Sequence, residues 1–413
     1  MKHIKVEELK KGIRFSKDVF FEDGQCLLLA AGNPLGDREL RALRTWQIPF
    51  VVTEGDLLNE EENVEDDSLE PLEEDFPEVE DITNTIYIEG SQLSDDNVET
   101  VSKMVVFNLP KELKESELYS QYNFIAEEVS KLFILIGESK ELKEKAFSQV
   151  VTKMLNMAKE HPQETVMFVI AANVKDQDIA LDSLSASLIV SLLCSSMDLD
   201  SSSKEYIVSA SLLHKVGAMR HPSFQINKEK ELTDAEIQIL KTHISTAYKC
   251  AVQELLYPET VGKIILEQYE RWDGKGYPNG ISEANIEIGA RIIAVADEFM
   301  SVLGKKAIRK PIMSYEAMKS LLSDSAHKFD PNVVKVMVQC IGVYPIGSIV
   351  LLNDGSVCKV MGTAPDAPLR PKVQIVLSET GKIPEEDKRL TIDLKTEKEK
   401  FIVRAVDPRV YLQ

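Results

Sequence analysis

The chain has 413 residues, room for two or three domains, and 44% of them are apolar, enough to build real cores. A formal net charge of −20 disfavours nucleic acid as a partner, although residues 54–81 alone supply fifteen acidic side chains and leave −5 to everything else. Five scattered cysteines (Cys26, Cys194, Cys250, Cys340 and Cys358) lie within apolar runs and argue against a disulfide framework; they fit reduced thiols of a cytoplasmic protein. The opening Met1-Lys-His-Ile-Lys-Val has no apolar signal region and no run of eighteen apolar residues follows, so neither a leader nor a membrane partner is expected.

Residues 1–53 read as a small α/β domain, with a strand over 15–21, a hairpin turn at Asp23-Gly24 into 26–31, a short helix over 37–45 and a last strand over 48–53. Residues 54–85 form an acidic linker whose few apolar groups bury too little to offset chain entropy; disorder is expected there, as a solvated spacer rather than a docking site. Residues 86–177 are a helical lead-in, with helices over 119–136, 140–159 and 164–172 and a break at Gly137. The apolar face of the first helix suits packing within the chain or pairing with a second copy as a homodimer, and both readings stay open. Residues 178–342 are nearly all helix; Thr233 to Glu236 reads as a capping box, and Asp330-Pro331 opens the last helix. From 343 to 413 the apolar period switches to two, with strands over 348–352, 357–361, 373–377 and 401–406 and a turn at 353–355. The fold class expected is therefore multidomain and mainly α, a central helical bundle between a small α/β domain and a small β-rich domain.

Within 178–342 one stretch carries more information than any other: Glu267-Gln-Tyr-Glu-Arg-Trp-Asp-Gly-Lys-Gly-Tyr-Pro278, an apolar helix running into a glycine-punctuated loop. Upstream stand Leu212-Leu213-His214-Lys215-Val216-Gly217 and Lys241-Thr242-His243; downstream stands the run from Ala290 to Asp297. In this order and spacing the residues resemble the HD-GYP domain, the metal-dependent phosphodiesterases of bacteria that hydrolyse cyclic di-GMP. The resemblance implies an HD-type helical bundle whose His and Asp ligands hold two metals, Fe or Mn, that bridge a hydroxide and grip the phosphate.

Residue by residue, that ligand pattern is mostly lost. Asp182 stands where the family has an early histidine, Lys215 where it has the bridging aspartate, Ala218 where it has a lysine, and Gln268 and Tyr269 where it has twin histidines. His214, His243 and Asp297 remain as residual metal candidates, although a histidine on an apolar helix face is more often a hydrogen-bonded core residue. Lys215 puts a cation where a carboxylate would bridge, and its expected role is to pair with Asp297 and with Asp182 in place of metal. No cofactor is expected; Fe or Mn would be the metal if one were held.

The loop itself is kept almost letter for letter. Arg271, Asp273, Gly276, Tyr277 and Pro278 are its candidate ligand-binding residues, with Tyr277 suited to stack on a guanine. Lys306, Arg309 and Lys310 follow at the place where the family meets phosphate. The resemblance implies cyclic di-GMP, a diguanylate cyclase or another signalling protein as partner. The expected function is a catalytically inactive HD-GYP-type protein acting as nucleotide sensor or protein-docking module. The alternative is an active phosphodiesterase with a reduced metal site.

Overall fold

The structure, a computed structural model, describes residues 2–21, 27–36, 39–40, 43–44, 48–58, 107–138, 144–172, 178–220, 234–305, 314–380, 382–385 and 388–406. The expected turn at Asp23-Gly24, nearly all of the acidic linker, Thr233, and the basic residues Lys306, Arg309 and Lys310 lie outside the described residues.

At the N-terminal end, β1 (Lys2–Lys5), β3 (Val19–Phe20), β4 (Leu27–Leu29) and β5 (Phe50–Thr53) form an antiparallel sheet in the order β1-β5-β3-β4. The expected strand over 15–21 is broken in two. Its first part, β2 (Arg14–Phe15), pairs instead with β6 (Leu57–Leu58), so strand pairing continues past Thr53 into the first residues of the acidic segment.

The helical region begins with α1 (Lys111–Lys114) and α2 (Glu117–Gly137), the latter capped by Ser116, whose side chain accepts from the Tyr119 amide. Next come α3 (Glu144–Glu160), α4 (Pro162–Ala172) and α5 (Ile179–Ser196), which starts at the Asp178 cap. Helix α5 is apolar on all sides because it is the centre of the bundle: α2, α3, α4, α6 (Ser201–Leu213), α10 (Ile288–Lys305) and α12 (Pro331–Ile341) all pack on it. It is the one described helix long and apolar enough to cross a membrane, and 72% of it is buried inside the protein. Small serines let its neighbours approach closely. Their hydroxyls are used locally: Ser191 bonds the Ser187 carbonyl at 2.7 Å, and Ser187 meets Ser211 of α6 at 3.0 Å. The bundle is completed by α7 (Val216–Met219), α8 (Asp234–Lys249), α9 (Glu259–Glu267) and α11 (Ser314–Ser323). Asp330 caps α12 as expected, accepting from the Asn332 amide, with proline in the first turn.

After α12 come β7 (Ile349–Leu352), β8 (Val357–Gly362), β9 (Lys372–Leu377), β10 (Thr391–Asp393) and β11 (Ile402–Ala405). They make one antiparallel sheet ordered β10-β9-β8-β7-β11. Four of the five strands follow the period-two pattern, and β10 was not anticipated. The two strand regions touch although they lie at opposite ends of the chain: the Leu27 amide donates to the Asp366 carbonyl at 2.8 Å, and Lys398 pairs with Asp18 at 2.7 Å. A mostly helical centre between two small strand regions is the fold class that the sequence leads one to expect.

Candidate functional site

Helix α6 ends at His214, and α7 starts directly after Lys215. Gly217 makes the junction work. A Cβ there would stand 1.8 Å from the His243 carbonyl oxygen and 3.0 Å from the Ala247 amide, so glycine is what allows α7 to press on α8. His214 is fully buried. Its Nδ1 faces the Ser211 carbonyl and its Nε2 is aimed at α10. There Nε2 meets Asp297 Oδ1 at 3.3 Å, and the Lys215 ammonium lies 2.7 Å from that same oxygen. The Lys215 and Asp297 side chains keep 23% and 24% of their surface in contact with solvent. Burial alone would raise the Asp297 carboxyl, but the Lys215 charge and the His214 contact outweigh it and hold the group well below the usual carboxylate range. Burial likewise works against the Lys215 charge, and Asp297 first, then Asp182 on α5, keep its ammonium raised instead.

His243 is buried on α8, next to Tyr269. The Tyr269 hydroxyl is 3.5 Å from His243 Nε2, and the two rings meet edge to face at 5.8 Å. Burial, followed by the Asp297 charge and Tyr277, pushes the Tyr269 phenol well above its ordinary range, so it stays neutral. Gln268 donates its side-chain amide to the Ile265 carbonyl of its own helix at 3.0 Å. Ala218 is buried and brings only a methyl group. The structure thus gathers His214, Lys215 and Asp297, with Asp182 close enough to be felt, and sets His243 against Tyr269. Among the described residues, no three His, Cys, Asp or Glu side chains converge as a metal-holding group.

The loop after α9 is fixed mainly by its own backbone. Trp272 and Asp273 donate their amides to the Lys328 and His327 carbonyls at 3.1 and 2.9 Å, which ties the loop to the turn before α12. Arg271 makes two bonds to Asp273, at 3.0 and 2.8 Å, and Asp273 also accepts from the Lys275 amide at 3.0 Å. Gly276 passes so close that a Cβ would be 2.3 Å from the Arg271 nitrogen. The Tyr277 amide donates to the Tyr269 carbonyl at 3.1 Å, and its ring stacks on that of Tyr269 with centroids 5.1 Å apart and planes 13° from parallel. Burial, then the Asp297 charge, pushes the Tyr277 phenol up to about 12. The bond from Tyr277 to Pro278 is cis.

Two positioning carboxylates escaped the sequence reading. Glu270, buried, accepts from the Asn279 and Gly280 amides at 2.6 and 3.1 Å; Glu267, also buried, accepts from the Glu287 amide at 2.7 Å. The hydrogen bonds go to backbone amides, which no side-chain pattern announces; Lys263, one turn earlier on α9, also lies 3.8 Å from Glu267. Arg291, too, was unmarked: it pairs with Asp330 at 2.7 Å and lies 5.9 Å over the Trp272 ring.

The HD domain model matches residues 149–333. Over 212 residues the chain is 28% identical to a cyclic di-GMP phosphodiesterase of Borreliella burgdorferi, covering 51% of this chain and 55% of that protein. Over 175 residues it is 30% identical to a cyclic di-GMP phosphodiesterase of Pseudomonas aeruginosa, covering 42% of each. The central domain belongs to the HD-GYP family. The chain spans about half the length of the curated relatives it matches. Beyond the HD-GYP domain, the model of a KOW domain associated with HD domain matches residues 349–413, the region of the five-stranded sheet. Among solved structures, an HDG"Y"P protein of Bdellovibrio bacteriovorus is similar, at 14% identity and a TM-score of 0.44 over 81% of this chain and 97% of that one.

Proposed function

We propose that this HD-GYP domain binds without hydrolysing, and serves cyclic di-GMP signalling as a nucleotide sensor or a protein-docking module. One observation carries the reading: the Lys215 ammonium lies 2.7 Å from Asp297 Oδ1, the oxygen that His214 also addresses at 3.3 Å. Phosphodiester hydrolysis of the family kind asks for two metals bridged by carboxylate and hydroxide. The residues present do not fit such a centre. A metal ion arriving at Asp297 meets an ammonium already there, and like charges about 4 Å apart repel by about 4 kcal/mol per unit of charge at an effective dielectric of about 20. Gln268 and Ala218 supply nothing in compensation, since one is turned onto its own helix and the other has no polar atom.

What remains is a shaped loop with a fixed course. Arg271 is oriented by Asp273, and Tyr277 and the backbone amides are held in place. Such a surface suits recognition more than chemistry. Calorimetric titration of the full chain with cyclic di-GMP, Mn²⁺ or Fe²⁺ present, tests the proposal. Heat that saturates marks the sensor; a flat trace marks the docking module, with a diguanylate cyclase or another signalling protein as partner. Heat that continues until the nucleotide is exhausted means hydrolysis, and refutes both. Metal analysis of the purified protein is expected to find less than one equivalent of Fe, Mn or Zn.

A further inference from the structure

Resting on the non-hydrolysing reading above, we infer that Tyr269 holds shut the face of Tyr277 on which a purine would stack, so that Tyr269 sets whether this domain takes up a nucleotide. The two rings lie 5.1 Å apart and 13° from parallel, an offset stack of the kind a planar heteroaromatic ligand makes with a phenol ring. Neither ring is free to drift. The strand of loop carrying Tyr277 is tied at one end by its own amide to the Tyr269 carbonyl at 3.1 Å. At the other end the Asn279 and Gly280 amides are tied to the buried Glu270 carboxylate. Tyr269 is seated in turn by the edge of His243, with its hydroxyl 3.5 Å from Nε2. A base arriving at this face of Tyr277 therefore displaces the Tyr269 ring, because the loop itself is pinned. Tyr269 is a positioning residue in this account. It acts on the ligand through Tyr277, on whose ring its own ring lies.

The test is calorimetric titration of the full chain with cyclic di-GMP, comparing wild type, Tyr269→Leu, Tyr269→Phe and the double variant Tyr269→Leu with Tyr277→Ala. Thermal denaturation of each checks the fold. Removing a competing aromatic stack is expected to tighten nucleotide binding by about twofold to tenfold in Tyr269→Leu. Tyr269→Phe keeps the stack and should bind as wild type does, and the double variant should lose the gain. A folded Tyr269→Leu protein that binds no more tightly than wild type overturns the inference, as does a double variant that keeps the gain. Should Tyr269→Leu fail to fold, Tyr269→Met retains bulk without a ring and is read by the same criterion. Sustained heat in the wild type would refute the non-hydrolysing reading alone, whereas equal affinities of wild type and Tyr269→Leu would refute this one.

Discussion

Replacing Lys215 by Met keeps most of the aliphatic stem and removes the charge, which isolates the interaction with Asp297. Breaking a fully buried ion pair by deleting one partner costs about 3–5 kcal/mol. Here both side chains are about a quarter exposed, and His214 still addresses the carboxylate at 3.3 Å. The expected destabilisation is therefore lower, about 1–3 kcal/mol. Urea denaturation of wild type, Lys215→Met, Asp297→Asn and the double variant gives the coupling energy directly, because the two residues are in contact and their effects should not add. A second arm uses Lys215→Asp. Without metal this variant should be less stable than Lys215→Met, since it sets a second carboxylate beside Asp297. With Mn²⁺ at about a hundredfold its dissociation constant it should recover about 2.7 kcal/mol. The wild type should gain nothing comparable from the same ion. A coupling energy near zero, or a wild type that Mn²⁺ stabilises as much as it does the variant, would refute the idea that Lys215 takes the place of metal charge.

Glu270→Gln should destabilise by about 1–3 kcal/mol, because both carboxylate oxygens accept backbone amides and an amide side chain offers only one acceptor. Glu267→Gln should be neutral or slightly stabilising at pH 7 by the same denaturation assay, since burial raises this carboxyl and a single oxygen meets the Glu287 amide. Gly217→Ala should cost about 1–3 kcal/mol or more, as its methyl would lie 1.8 Å from the His243 oxygen and force α7 off α8; a change below about 0.5 kcal/mol would show that the junction gives way easily. The Lys215–Asp297 pair should also shape the pH dependence. Asp297 is ionised more readily folded than unfolded, despite burial, so its stabilisation is present above about pH 5 and is lost progressively as pH falls below it. Lys215 is held protonated more firmly folded than unfolded, so its contribution is full below about pH 10 and is lost as pH rises further. Denaturation midpoints across the range should lose both limbs in Asp297→Asn.

How much of this was legible in the sequence depends on where the partner of each residue lies. The helices declare themselves by local apolar period, and the C-terminal strands by alternation, so the order of elements can be read from the chain. Strand β10 cannot: Thr391–Asp393 is too short to show a period and exists because β9 offers it an edge. The π-helical turn Cys250–Glu254 and the left-handed Leu256 after it, in the connection between the mutually packed α8 and α9, have no composition signal either. At the site, the closeness of Lys215 and Asp297 was readable only through the order of motifs, since 82 positions separate them and nothing local links them. The Tyr269–Tyr277 stack was missed for a subtler reason. Position 269 registers in the sequence as an absent histidine, a loss. In the folded chain it is a side chain with volume and a flat face, next to a loop that has one of its own. The same holds for Lys215, which is an aspartate missing by sequence and a cation present by structure. On the non-hydrolysing reading, such a site is not an empty version of the family's: the side chains at the replaced positions have contacts of their own, Lys215 with Asp297 and Tyr269 with His243 and Tyr277.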